Sequence, residues 1–184
     1  MKTSDVDILI VPDRGDALPD HWQSRWVRHL KTARRIEQDE WRRPKGGDWA
    51  DRIFATAHLQ TRPTVLVAHG LGVLAVAQAA ERLGATAVVG AFLVAPTGPG
   101  AIRAGQALPP GFWPTPAEPL PWPAVVVASA DDPHCDLDTA RRLAAQWNAA
   151  LTEAGPVGHL DIASGHGPWP EGLLRFGQFL RELG

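Results

Sequence analysis

The sequence predicts an α/β fold, a mostly parallel sheet with helices on both faces, and two observations carry that expectation. Short apolar runs alternate along the chain with longer segments of helical periodicity. The runs are continuously apolar, VDILIV at 6–11 and TVLVA at 64–68, where a half-buried strand would alternate apolar and polar residues. Such runs belong to strands covered on both faces, and groups with chemistry then belong at the strands' carboxyl ends.

Taken in order, residues 6–11 read as a first strand closed by Pro12, followed by a loop over 13–19. A helix follows over 22–31, with Trp22, Trp26, His29 and Leu30 on its inner face and Arg25 and Arg28 outside. Residues 35–38 are too short to assign. The polar stretch 39–48, with Pro44, Gly46 and Gly47, reads as a surface loop before helix resumes near Trp49. Residues 64–68 are β-branched and apolar, His69-Gly70 forms a turn, and the Ala-rich segment 71–83 reads as a helix packed beneath the sheet. Further strands are expected at 87–95 and 124–128. The Pro/Gly-rich connection 96–123 between them is long enough for a lid, and Phe112, Trp113 and Trp122 suit either an apolar lid over a pocket or an ordered surface loop. Helices over 136–147 and from Pro170 onward complete the chain. No repeat, low-complexity segment or linker divides residues 1–184, which read as one domain.

Eighteen basic and 20 acidic residues give a net charge of -2, with no basic footprint for nucleic acid or an anionic membrane surface. The basic run from Arg25 to Arg35 reads as the wet face of a helix. No apolar run reaches the ~18 residues of a bilayer span. A lone Cys135 forbids an internal disulfide, and no secretory leader pattern is present, so a cytoplasmic location is expected. A small-molecule substrate or ligand is the expected partner, with no cofactor. Eight tryptophans without a tyrosine read as compositional background.

Residues 65–72 (VLVAHGLG) have the strand-turn-helix context of a nucleophile elbow, small-x-Ser-x-Gly, with Gly70 in the serine slot. An elbow holds its central residue in a conformation that costs a side-chain-bearing residue ~1–3 kcal/mol and that glycine adopts freely. Asp132 lies in the loop leaving an apolar strand, and His159 follows near the carboxyl end. The order nucleophile, acid, base is that of α/β-hydrolases. Asp132 would orient the imidazole, and His159 would act as general base toward whatever lies over Gly70.

Further motifs stand in register: His21-Trp22-Gln23-Ser24-x-Trp26, Glu37-Gln38-x-x-Trp41-x-x-Pro44, Asp48-Trp49, and Gly158-His159-Leu160 followed by Ser164-Gly165-x-Gly167-x-Trp169-Pro170-Glu171-Gly172. The chain resembles the small retinoblastoma-binding-protein-9-type serine hydrolases over nearly its whole length. That resemblance implies a compact α/β-hydrolase fold and hydrolysis of esters, thioesters or amides, with triad slots at Gly70, Asp132 and His159. The tryptophans at motif positions read as packing residues.

Two departures from the family pattern coincide near the chemistry. Gly70 replaces the serine, and Asp13-Arg14 follow Pro12 where the family has glycine and an aromatic or amide residue. The first loop should partner the Leu71 N–H in an oxyanion hole beside His69. Asp13 there would oppose a developing negative charge and Arg14 would offset it. The coincidence favours a natural change of role over an engineered knockout. Three readings stay open: a serine hydrolase relative unable to form a seryl acyl-enzyme, a non-covalent enzyme using the His159/Asp132 pair as general base, and a pseudoenzyme that binds a ligand or protein. Cys135 reads as a small apolar residue and not as a substitute nucleophile. Asp131, Asp132, His134, Cys135 and His166 lack zinc-site spacing, and no metal is expected.

Overall fold

A computed structural model describes residues 1–99 and 107–184. Along the chain run β1 (Asp7–Val11), α1 (Trp22–His29), β2 (Ala33–Arg35), α2 (Gly46–His58), β3 (Thr64–Gly70), α3 (Leu71–Leu83), β4 (Val88–Pro96), β5 (Ala124–Ala128), α4 (Leu137–Gln146), β6 (Ala150–Glu153) and α5 (Pro170–Glu182). The strands form one sheet in the order β2-β1-β3-β4-β5-β6, and every neighbouring pair is parallel. The parallel α/β architecture expected from the sequence is the architecture found.

The continuous apolar runs are explained by a core on each face. Leu9, Val11, Leu66 and Ala68 point to the side covered by α2, α3 and α4. Their chain neighbours Ile8, Ile10, Val65 and Val67 point to the side covered by α1 and α5. On that second side Trp22, Trp26, Phe92, Trp169 and Phe176 form a ring cluster, with Trp22 and Trp26 centroids 4.9 Å apart and Trp26 and Phe176 5.3 Å apart. Truncating the fully buried Phe176 to alanine costs about 3–5 kcal/mol. Trp22 also donates its indole N–H to the Leu160 carbonyl at 2.9 Å, which ties α1 to the loop carrying His159.

The structure adds to or departs from the sequence expectations in three places. Residues 33–35 and 150–153, unassigned from sequence, are the two edge strands β2 and β6. Each is three or four residues long and only partly buried, so neither shows the apolar run that marks a central strand. The helix α2 begins at Gly46, inside the stretch read as loop. In the long connection, residues 100–106 lie outside the described residues, while Phe112, Leu120 and Trp122 are buried in the core beside α2 and α3. Phe112 packs on Trp49 at 5.5 Å between ring centroids, so this part of the connection is core and not lid. Trp113 is exposed.

Candidate active site

The site lies at the carboxyl ends of the central strands. β3 ends at Gly70 and α3 begins at Leu71, with the Gly70 backbone at φ 56° and ψ −122°. This is the sharp strand-to-helix turn of an elbow, in the left-handed φ range that favours glycine. The Leu71 N–H, in the first helical turn, has no partner within the helix and is left to bond a group outside it. A β-carbon on Gly72 would lie 2.5 Å from the carbonyl oxygens of Val11 and Pro12. The elbow is therefore packed directly against the loop that leaves β1.

That close approach sets Asp13 over Gly70. Its Oδ1 accepts the Leu71 N–H at 2.7 Å, and its Oδ2 lies 3.2 Å from His159 Nε2. A β-carbon built on Gly70 would run into Asp13 Cγ, Oδ1 and Oδ2 together. The carboxylate thus fills the volume that a serine side chain at this position needs. The expectation that Asp13 would merely oppose charge in an oxyanion hole is corrected, because it occupies the elbow donor itself. Arg14 does not offset it. Its guanidinium donates to the Arg42 carbonyl at 3.0 and 3.1 Å, and the charge that meets Asp13 is His159.

His159 is held on both nitrogens. Nδ1 lies 3.0 and 2.9 Å from the two oxygens of Asp132, whose Oδ1 also accepts the His134 N–H at 2.8 Å. Asp131 positions the histidine loop by accepting the Gly158 N–H at 2.8 Å. Burial disfavours charge on His159, but its hydrogen bonds to Asp13 and Asp132 outweigh burial and push its pKa up to about 10. Burial likewise acts to raise the pKa of Asp13, and the His159 contact and the Leu71 N–H overcome it, holding the carboxyl well below its usual range. The elbow helix adds its positive end beneath the same carboxylate. At neutral pH an Asp13 carboxylate therefore faces an imidazolium on His159.

His69 and His21 differ. His69 Nε2 lies 2.8 Å from the His159 carbonyl, which can only accept, so its proton is on Nε2. His21 Nδ1 accepts the Gln23 N–H at 3.2 Å, which puts its proton on Nε2 as well. Burial lowers both pKa values, to about 4 for His69 and about 3 for His21, so both rings are neutral. Together with Asp13, Gln23, Leu18 and Ile162 they line a cavity of about 360 Å³.

The seven residues singled out from sequence are thus placed plainly: Gly70, Leu71, Asp13, His69, His159 and Asp132 converge, and Arg14 lines the same cavity with its guanidinium bonded to the Arg42 carbonyl and not to Asp13. Sequence reasoning used His21 and Gln23 only as motif letters, and passed over Asp131 as a positioning residue. The carboxylate of Asp13 and the nitrogens of His69 and His159 lie within 4.8 Å of one another, a grouping able to hold a metal that the sequence did not suggest. In the observed arrangement a proton on His159 Nε2 occupies the contact to Asp13, so a cation would have to displace it. The His134 ring sits 4.3 Å from that of His159. Cys135 is buried, and burial pushes its thiol up to about 12.

The profile of a family described as serine hydrolase matches residues 8–178. The chain belongs to the serine hydrolase family. A YdeN-like hydrolase from Pectobacterium atrosepticum is 30% identical, with a TM-score of 0.86, over 98% of this chain and 94% of that one. The ydeN gene product of Bacillus subtilis aligns over 97% of this chain and 98% of its own at 21% identity and a TM-score of 0.68. A hydrolase of the α/β superfamily from Xanthomonas campestris, 17% identical over 96% of this chain and 99% of that one with a TM-score of 0.61, shares the fold. No curated protein sequence matches the chain. In this member of the family the turn between β3 and α3 holds Gly70. No helix among the described residues is long and apolar enough to cross a membrane.

Proposed function

We propose that this member of the serine hydrolase family does not form a seryl acyl-enzyme, and that the Asp13 carboxylate stands in the place of the serine hydroxyl. One observation carries the reading: the space over Gly70 is filled by a carboxylate that accepts the elbow N–H and faces the base. Esters, thioesters and amides, the substrates implied by the likeness to retinoblastoma-binding-protein-9-type hydrolases, are then not turned over by the usual route, because no hydroxyl attacks and the oxyanion donor is taken. The mutual fit of Gly70 and Asp13 supports a natural pair of changes.

A non-covalent reaction with His159 as general base is disfavoured. Its Nε2 meets a carboxylate and its charge is held to about pH 10, so it has no lone pair to offer water near neutrality. Binding without turnover is the second reading, favoured by the filled oxyanion donor. The ligand in either reading is a small molecule in the cavity beside Asp13.

The test is labelling by a fluorophosphonate probe. The chain as it stands stays unlabelled, and so does Gly70→Ser, because the new side chain meets Asp13. The double variant Asp13→Gly/Gly70→Ser labels, and adding His159→Ala abolishes the label. Labelling of Gly70→Ser alone as fast as the double variant would sink the reading.

A further inference from the structure

We infer that Asp13 is a carboxylate nucleophile for saturated carbon, and that the site hydrolyses small apolar alkyl compounds whose leaving group departs as a stable anion, such as alkyl halides. The inference rests on the reading that Asp13 replaces the serine.

The placement of the Leu71 N–H selects the electrophile. Attack on an acyl carbon puts an oxyanion on the substrate, and the elbow donor that would receive it is already bonded to Asp13 Oδ1 at 2.7 Å. Attack on a saturated carbon makes no oxyanion. It makes an ester of Asp13, and when water later adds to Cγ the oxyanion forms on Oδ1, where the donor already points. The arrangement is complementary to hydrolysis of an aspartyl ester and not to acyl transfer.

The position of His159 narrows the leaving group. Displacement sends the leaving group away from the attacking Oδ2, whereas His159 Nε2 lies beside Oδ2 at 3.2 Å and cannot protonate a group on the far side. The neutral His21, with its proton on Nε2, lines the same cavity and supplies at most a hydrogen bond. A leaving group that needs no proton fits this wall. Leu18 and Ile162 add exposed apolar side chains to a cavity of about 360 Å³ that has room for a short alkyl chain, and Arg14, Asp16 and Asp161 complete its rim with charge. Gln23, buried in the same wall, donates its amide to the carbonyls of Val11 and Val67 and has no partner for Oε1 among the described residues.

The steps balance. Asp13 Oδ2 forms a bond to carbon as the carbon–halogen bond breaks and halide takes the electron pair. Esterification removes one of the two carboxylates that hold the proton on His159, which passes to solvent. The neutral imidazole, oriented by Asp132, takes a proton from water as its oxygen bonds to Cγ. The Cγ–Oδ2 bond then breaks, the alcohol leaves with that oxygen and with the proton from His159, and the Asp13 carboxyl returns its own proton to His159.

The experiment uses the full chain with 1-bromobutane. Bromide release is expected, falling at least ~10³-fold in Asp13→Asn, and a single turnover in oxygen-18 water places the label in the Asp13 peptide and leaves the first butanol unlabelled. His159→Gln accumulates a butyl ester on Asp13, read by peptide mass spectrometry. Label in the first butanol, or bromide release unchanged in Asp13→Asn, overturns the nucleophile. No release and no Asp13 adduct overturns it too, and if Asp13→Gly/Gly70→Ser still takes the fluorophosphonate, the replacement of the serine survives that failure.

Discussion

Two walls of one site hold histidines in opposite charge states. His159 is 5% exposed and charged, while His69 and His21, 2% and 6% exposed, are neutral. The rings of His69 and His159 are only 4.8 Å apart. Burial therefore does not separate them; their partners do. His159 meets a carboxylate at each nitrogen, whereas His69 meets a carbonyl and His21 a backbone N–H that requires a lone pair. The two carboxylates are not equivalent either. Asp132 is buried and pinned by a backbone N–H, and Asp13 is partly open to the cavity, so Asp13 is the one that chemistry can reach and alter.

The sharpest way to break the contrast is Asp13→Asn. Besides removing any turnover that needs the carboxylate, it should bring the His159 pKa down from about 10 toward the ordinary 6.5, read by NMR titration of the imidazole. A value still near 10 would mean that Asp132 alone sets the charge.

Next in size is the elbow. Gly70→Ala should destabilise by at least the ~1–3 kcal/mol of its backbone strain, with crowding against Asp13 added. Denaturant titration measures this, and Asp13→Gly should recover the crowding part alone. Equal losses in both backgrounds would show that the carboxylate yields freely.

The two walls also shape the pH dependence of stability. The raised pKa of His159 contributes stability that is complete below about pH 6.5 and is lost as pH rises through about 10. His69 and His21 act oppositely: below about pH 6.5 the unfolded chain protonates them while the folded chain resists down to about 4 and 3, so stability falls on acidification. Unfolding followed across pH should show both slopes, and His159→Gln should flatten only the alkaline one. The smallest effect belongs to Cys135, whose buried thiol should ignore a thiol reagent until the protein unfolds.

The centre of the molecule was legible in the sequence because burial on two faces writes itself as uninterrupted apolar runs, as in 64–68. The edges were not, since β2 and β6 are short and half wet. Gly70, Asp132 and His159 could be read because an elbow, an acid loop and a late histidine keep their order along the chain. Asp13 could be read only as an anomaly. Its bond to Leu71 spans 58 positions, and one sequence carries no signal that two such residues touch. Arg14 misled for the same reason, adjacency in the chain having been taken for adjacency in space.

The fit between Gly70 and Asp13 locks two distant positions of the chain to each other. Placing serine at position 70 first crowds the carboxylate, and giving up the aspartate first strands an imidazolium and a helix N–H without their acceptor. A change at one of the two positions alone meets a loss in either order, so residues 13 and 70 are free to vary only together.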